Sequence, residues 1–230
     1  MPMNVLTLLQ TVSIFGAYLF VAAGLPAFTF GRRLKEHRML ERLLIYYITG
    51  NFYIINLVYL LQLLKISYPA TLTLATFVPA VLGRLRLNRT PVRRIVEDRL
   101  EDLKKLTRGS MGRRTALLRI RRAAGRKLRA LGRYLWGIFR AHPVDCLLGL
   151  GFLGLLCWLQ GTNLMEIYGY KASDIPVHNF WVNAMCENRI FVAGIYPHGF
   201  PCVIYYLHSL FGFPVFEILR VFGFVESVMV

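Results

Sequence analysis

The chain has 230 residues, of which 56% are hydrophobic and 17% charged, with a mean hydropathy of +0.48. That apolar excess is more than an ordinary soluble domain readily hides, which argues against the soluble globular class. A formal charge of +16 fits a nucleic-acid binder only if the cations cover a folded surface, yet 24 of the 28 Lys and Arg fall in two stretches: five between Arg32 and Arg42, and 19 between Arg84 and Arg140.

A helix needs about 20 apolar residues to cross hydrocarbon, because it rises about 1.5 Å per residue and must pair its own backbone groups. The spans expected on this basis run from about Val5 to Ala27, Leu43 to Leu64, Tyr68 to Leu82 and Val144 to Leu159, with the last two short. A fifth begins near Pro214 and the sequence stops within it at Val230. The start Met1-Pro2-Met3-Asn4 lacks the basic n-region of a secretory signal, so the first span is read as retained. In the second span Asn51, Asn56 and Gln62 interrupt the apolar run; contacts between helices are favoured over a polar cavity.

Basic loops are held in the cytoplasm, which sets the orientation. Arg32, Arg33, Lys35, Arg38 and Arg42 place the first loop inside and the N-terminus outside. The short turn Lys65–Ser67 is then outside and residues 84–142 are inside. Residues 161–213 are outside, between a span at 143–160 and the start of another at 214–230. The expected architecture is therefore an all-α membrane protein with about four complete transmembrane helices and the start of a fifth. Residues 1–83 form an N-terminal three-helix membrane region.

Within the inner segment, Glu97, Asp98, Glu101 and Asp102 alternate with cations, and Glu101–Lys105 is a favourable i,i+4 pair of a solvated helix. Beyond Gly109-Ser110, the residues Leu117, Ile120, Ala124, Leu128, Leu131, Leu135 and Ile138 recur at steps of three and four opposite arginines. That spacing predicts a basic amphipathic helix on the inner membrane surface, anchoring the loop against anionic lipid. Membrane lipids are thus the expected partners. Nucleic acid is not, since no aromatic platform or binding motif accompanies the charge.

The four cysteines form no CxxC or CxxH pair, which argues against zinc or a disulfide framework. Cys146 and Cys157 read as buried small hydrophobes. Cys186 and Cys202 read as free thiols, with a bridge as the alternative if their segment is oxidised. No metal site is expected, and the sequence identifies no cofactor.

Chemistry concentrates between Gly161 and Phe213, too polar to span and too apolar for a free loop. Its aromatics, Tyr168, Tyr170, Phe180, Trp181, Phe191, Tyr196 and Phe200, suit a headgroup zone, so the stretch is expected along the outer surface in short interfacial helices. Pro176 can open a helical turn, with Asp174 at its N-terminal edge and His178 one turn on. Asp174 is then either an N-cap or a general base with a pKa raised by apolar surroundings. Lys171 and Arg189 can hold a phosphate or simply meet lipid headgroups. His178 and His198 suit hydrogen bonding better than metal binding.

An aspartate shortly after a membrane helix, in a large outer loop followed by a Tyr-Pro-x-Gly turn and another membrane helix, resembles the GT-C class of multi-pass glycosyltransferases. Ser173-Asp174-x-x-x-His178 with Gly194-Ile-Tyr196-Pro197-His198-Gly199 is similar to large membrane proteins of Gram-positive bacteria sharing this loop. The resemblance covers roughly residues 144–230. It implies that Asp174 binds or deprotonates an acceptor, that the donor is a sugar on a polyprenyl phosphate, and that His178, Tyr196 and His198 line the same outer cavity. The class commonly carries a second acidic residue directly after the aspartate, where this chain has Ile175. The class also needs about eight spans, so the chain is expected to be the N-terminal part of a longer protein, inactive alone. The alternative reading is a non-catalytic membrane protein of cell-envelope assembly, or part of a transporter.

Overall fold

The computed structural model describes residues 5–31, 33–88, 125, 129–130, 132–166, 175–192, 194 and 198–229. Among these it is helical, with no strand. The elements are α1 (Val5–Leu19), a π-helical turn (Phe20–Gly24), α2 (Leu25–Phe30), α3 (Met39–Leu63), α4 (Pro69–Asn88), α5 (Gly132–Ala141), α6 (Pro143–Glu166), α7 (Ile175–Cys186), α8 (Gly199–Phe211) and α9 (Val215–Met229).

Three helical stretches are long and apolar enough to cross a membrane: Leu9–Phe30, Met39–Leu63 and Pro69–Leu87. They match the first three expected spans, with the third continuing past Leu82. Only 22% of the apolar window of α3 and 11% of that of α4 is buried in protein. The remainder, including Phe52, Leu60, Leu74 and Leu82, is exposed in a way that water would penalise and hydrocarbon would not. Around the expected fourth span, Gly132–Ala141 and the apolar stretch Pro143–Leu159 count as one candidate span only if the bent pair is taken together, and they meet at 112°. His142-Pro143 causes the break, because proline removes a backbone donor and disfavours helix at the residue before it.

The chain divides into two compact units, Met1–Asn88 with Leu156–Val230, and Arg89–Leu155. In the second unit, Trp136 and Phe139 stack at 5.7 Å on α5, and Leu147, Leu148, Leu150 and Phe152 of α6 are exposed. Most of the predicted amphipathic helix, and the Glu101–Lys105 pair, lie outside the described residues.

In the first unit the π-helical turn packs against α3. A Cβ on Gly50 would stand 1.9 Å from the Ala22 carbonyl oxygen, so only glycine allows this approach. Beside it the Tyr18 hydroxyl donates to Asn51 Oδ1 (2.9 Å) and meets the Tyr47 hydroxyl (3.0 Å). The Asn51 amide donates to Tyr47 O (3.0 Å), the Asn56 amide to Phe52 O (2.7 Å) and the Gln62 amide to Met185 O (2.8 Å). Asn51 and Gln62 thus make the expected helix contacts, whereas Asn56 returns to its own helix.

Two hydrogen-bond sets define opposite ends of this unit. At one end Arg84 Nη1 donates to Phe28 O (2.8 Å), joining the ends of α2 and α4 beside the Arg33–Arg38 turn. At the other end Ser67, in the α3–α4 turn, donates its N–H to Asn188 Oδ1 (2.8 Å) and accepts the Tyr205 hydroxyl at its carbonyl (2.7 Å). The 25 residues of α3 separate these ends by roughly 37 Å.

The stretch expected along a surface is split in its burial. Helix α7 is half-buried, but α8 is core: Pro201 through Leu207 are all buried, and the Tyr206 hydroxyl bonds Thr76 (2.8 Å) on α4. Helix α8 thus packs against protein on all sides over these residues. Thirteen residues are too few to cross a bilayer, but a helix apolar on every side is stable when surrounded by protein.

Candidate functional site

Helix α7 opens at Ile175-Pro176, as proline in a first turn permits. His178, Trp181, Val182 and Met185 then recur at steps of three and four and form its inward stripe. Its end is fixed by Asn188, at φ 56°, while Arg189 N–H returns to Ala184 O (3.0 Å). Asparagine tolerates this left-handed position, and the six-to-one bond closes the helix as a Schellman cap.

Past this cap the chain turns at Phe191, which holds φ 68°. A bulky residue rarely adopts that conformation, and here the ring is held between Tyr59 (6.0 Å) and His198 (5.3 Å). His198 precedes the first turn of α8, donates its backbone N–H to the Tyr59 hydroxyl (2.9 Å) and is only 1% exposed. Its ring lies 5.2 Å from that of Trp181, whose other neighbour is His178 at 5.3 Å. His178 also meets Phe200 at 4.8 Å, and Phe200 meets Phe222 of α9 at 5.5 Å. Phe222 in turn packs 5.0 Å from Tyr18.

Two of the predicted residues, His178 and His198, therefore converge on the two sides of Trp181. The cluster sits about one turn inside the end of α3 that carries the Ser67–Asn188 tie. Arg189 belongs to the same end but not to the cluster. It is exposed and pairs with Glu187 at 2.6 Å, an interaction worth at most about 1 kcal/mol in water. Asp174, Lys171 and Tyr196 lie outside the described residues, so both readings of Asp174 remain expectations.

No protein-family model, curated protein or solved structure matches the chain. Chemical reasoning therefore rests on the residues themselves. The cluster is a continuous ring-packed path from Tyr59 to Tyr18 in which the two imidazoles pack against aromatic rings. Among the described residues, no group of three His, Cys, Asp or Glu is placed to hold a metal ion. Cys186 is exposed and Cys202 buried, and both are free thiols. Partial desolvation by the protein around it, with the neighbouring Glu187 charge adding to the effect, pushes the Cys186 thiol above its usual range although the residue is exposed.

Sequence reasoning missed Tyr59, because a tyrosine inside a span reads as ordinary span. It also missed the ion pair of α9. Arg220 directs Nε (3.1 Å) and Nη2 (2.9 Å) at Glu217 Oε2, and Glu217 is only 9% exposed. The signal was present as Glu217-x-x-Arg220 inside an apolar run, since charges at i,i+3 in such a helix must be paired.

Proposed function

We propose that this chain belongs to a multi-pass membrane protein whose working surface is the outer end of the first unit. In this reading the reaction is transfer of a sugar from a polyprenyl-phosphate donor. Asp174 activates the acceptor, the His178–Trp181–His198 wall receives the sugar or the first isoprene units, and Arg189 and Lys171 attract the phosphate. The single observation that supports it most is the convergence of His178 and His198 on Trp181 at the end of α3 opposite the Arg33–Arg38 turn. The basic loops set the orientation, with the N-terminus outside, residues 84–142 cytoplasmic and residues 161–213 extracytoplasmic.

The test uses the full-length protein in membranes supplied with a labelled polyprenyl-phosphate sugar. Asp174→Asn is expected to abolish transfer, and His178→Ala to lower it at least tenfold, with both variants inserted at wild-type level. Full transfer by Asp174→Asn rejects the assignment.

One observation favours a second reading. His198 is buried and ring-packed, as a purely structural histidine would be, which fits a non-catalytic role in envelope assembly or as part of a transporter. Under that reading no lipid-linked sugar is consumed, and His198→Phe retains function.

A further inference from the structure

Toward the basic end of the first unit, α2, α3, α4 and the π-helical turn surround a cavity of about 220 Å³. Of the hydroxyls in its wall, that of Thr29 donates to Leu25 O (3.0 Å), that of Thr76 pairs with Tyr206 (2.8 Å) and that of Tyr53 donates to Ala75 O, and Thr49 adds one more. What remains is apolar and larger than the roughly 150 Å³ that accommodates a benzene ring in an engineered protein cavity. Tyr53 on α3 and Pro79 on α4 form an exposed lip, so the cavity opens sideways between these helices. Phe52 and Leu82 flank it at 68% and 59% exposure, a surround that suits an acyl tail rather than water.

Charge lies beyond the apolar part. Arg42 shares a stripe of α3 with Thr49 and Tyr53, seven residues or about 10 Å below Thr49. Its Nε is buried and has no hydrogen-bond partner among the described residues. A buried guanidinium N–H left without an acceptor is costly, and an anion on Arg42 removes that cost. On α4, Arg86 is exposed seven residues past Pro79, on the same stripe. Each side of the window thus leads to an arginine on the basic side.

We propose that this is a binding site for one anionic phospholipid, with an acyl chain entering between Tyr53 and Pro79 and the phosphate held by Arg42 and Arg86. A guanidinium is suited to this role because its planar fork meets phosphate oxygens in pairs. The site is separate from the aromatic cluster and does not depend on the reaction proposed for it.

The experiment uses the full 230-residue chain in detergent, equilibrated with equal phosphatidylglycerol and phosphatidylcholine, then stripped and analysed for retained lipid by mass spectrometry. Retention is expected to favour phosphatidylglycerol by about fivefold, the scale of one arginine near an anionic lipid. Arg42→Gln should bring the ratio near one, and Ala80→Leu, which fills the cavity, should lower the total retained. Lys35→Gln, an exposed cation of the turn before α3, should leave the ratio unchanged, and excess inorganic phosphate should leave the lipid bound. If Arg42→Gln does not fold, Arg42→Lys takes its place and should still lower the ratio, because it keeps the charge but loses the paired hydrogen bonds. Equal retention of both lipids by the wild type overturns the proposal. So does an equal effect of the Arg42 and Lys35 substitutions, or displacement of the lipid by phosphate alone.

Discussion

Replacing Gly50 by alanine should separate the first span from the second. The added Cβ would stand 1.9 Å from Ala22 O, 2.6 Å from Ala22 C and 2.7 Å from Ala22 Cα, all below the 3.0 Å that real Cβ atoms respect. These are backbone atoms of the π-helical turn, so no side-chain rotation relieves them; α3 must move outward by more than an ångström. That movement strains the neighbouring Tyr18–Asn51 bond of 2.9 Å. Overpacking against side chains costs about 1–3 kcal/mol, and a clash with backbone belongs at the upper end or beyond. At about 2–4 °C per kcal/mol for a chain of this size, the unfolding midpoint should fall by about 6–12 °C. The assay is thermal unfolding in detergent followed by circular dichroism, with Gly16→Ala as control, since nothing lies within 4 Å of a Cβ there. Gly50→Ala unfolding within a degree or two of wild type, or the two variants behaving alike, would refute the packing described for α3.

Removing the Asn188 side chain by Asn188→Ala should cost about 1–2 kcal/mol, because it removes the acceptor for Ser67 N–H and puts alanine in a left-handed conformation; Asn188→Gly should cost less, and thermal unfolding ranks the two. Cys186 should react slowly with maleimide at neutral pH despite its exposure, because a raised pKa leaves little thiolate. Its rate should climb through alkaline pH, and Glu187→Gln should speed it at fixed pH; stopped-flow labelling measures both. Arg220→Ala should destabilise by about 3–5 kcal/mol by stranding the buried Glu217 charge, and Glu217→Gln with Arg220→Met should recover most of that loss in the same unfolding assay.

The membrane character was legible because it is written in length and hydropathy: the three helices long and apolar enough to cross a membrane fall on the first three apolar runs, although the third run is itself short. Asn51 and Gln62 were legible as contact residues for the same reason, since an amide in an apolar run needs a partner. Helix α8 was not. Its apolar residues recur without a polar face, and a 13-residue run of that kind is equally consistent with a surface and a core position until its neighbours are known. His178 and His198 could be singled out by residue type, but their meeting across Trp181 depends on the turn at Phe191 and on Tyr59, about 140 residues earlier than His198. No local pattern encodes a contact of that sequence separation.

The account rests on the basic turn and the aromatic–histidine end facing opposite sides of the bilayer. In a cysteine-free background, Arg189→Cys and Lys35→Cys are labelled in intact cells with a membrane-impermeant maleimide, then again after permeabilisation. The account predicts that position 189 reacts in intact cells and position 35 only after permeabilisation. Labelling of both positions in intact cells, or of position 35 alone, would contradict it.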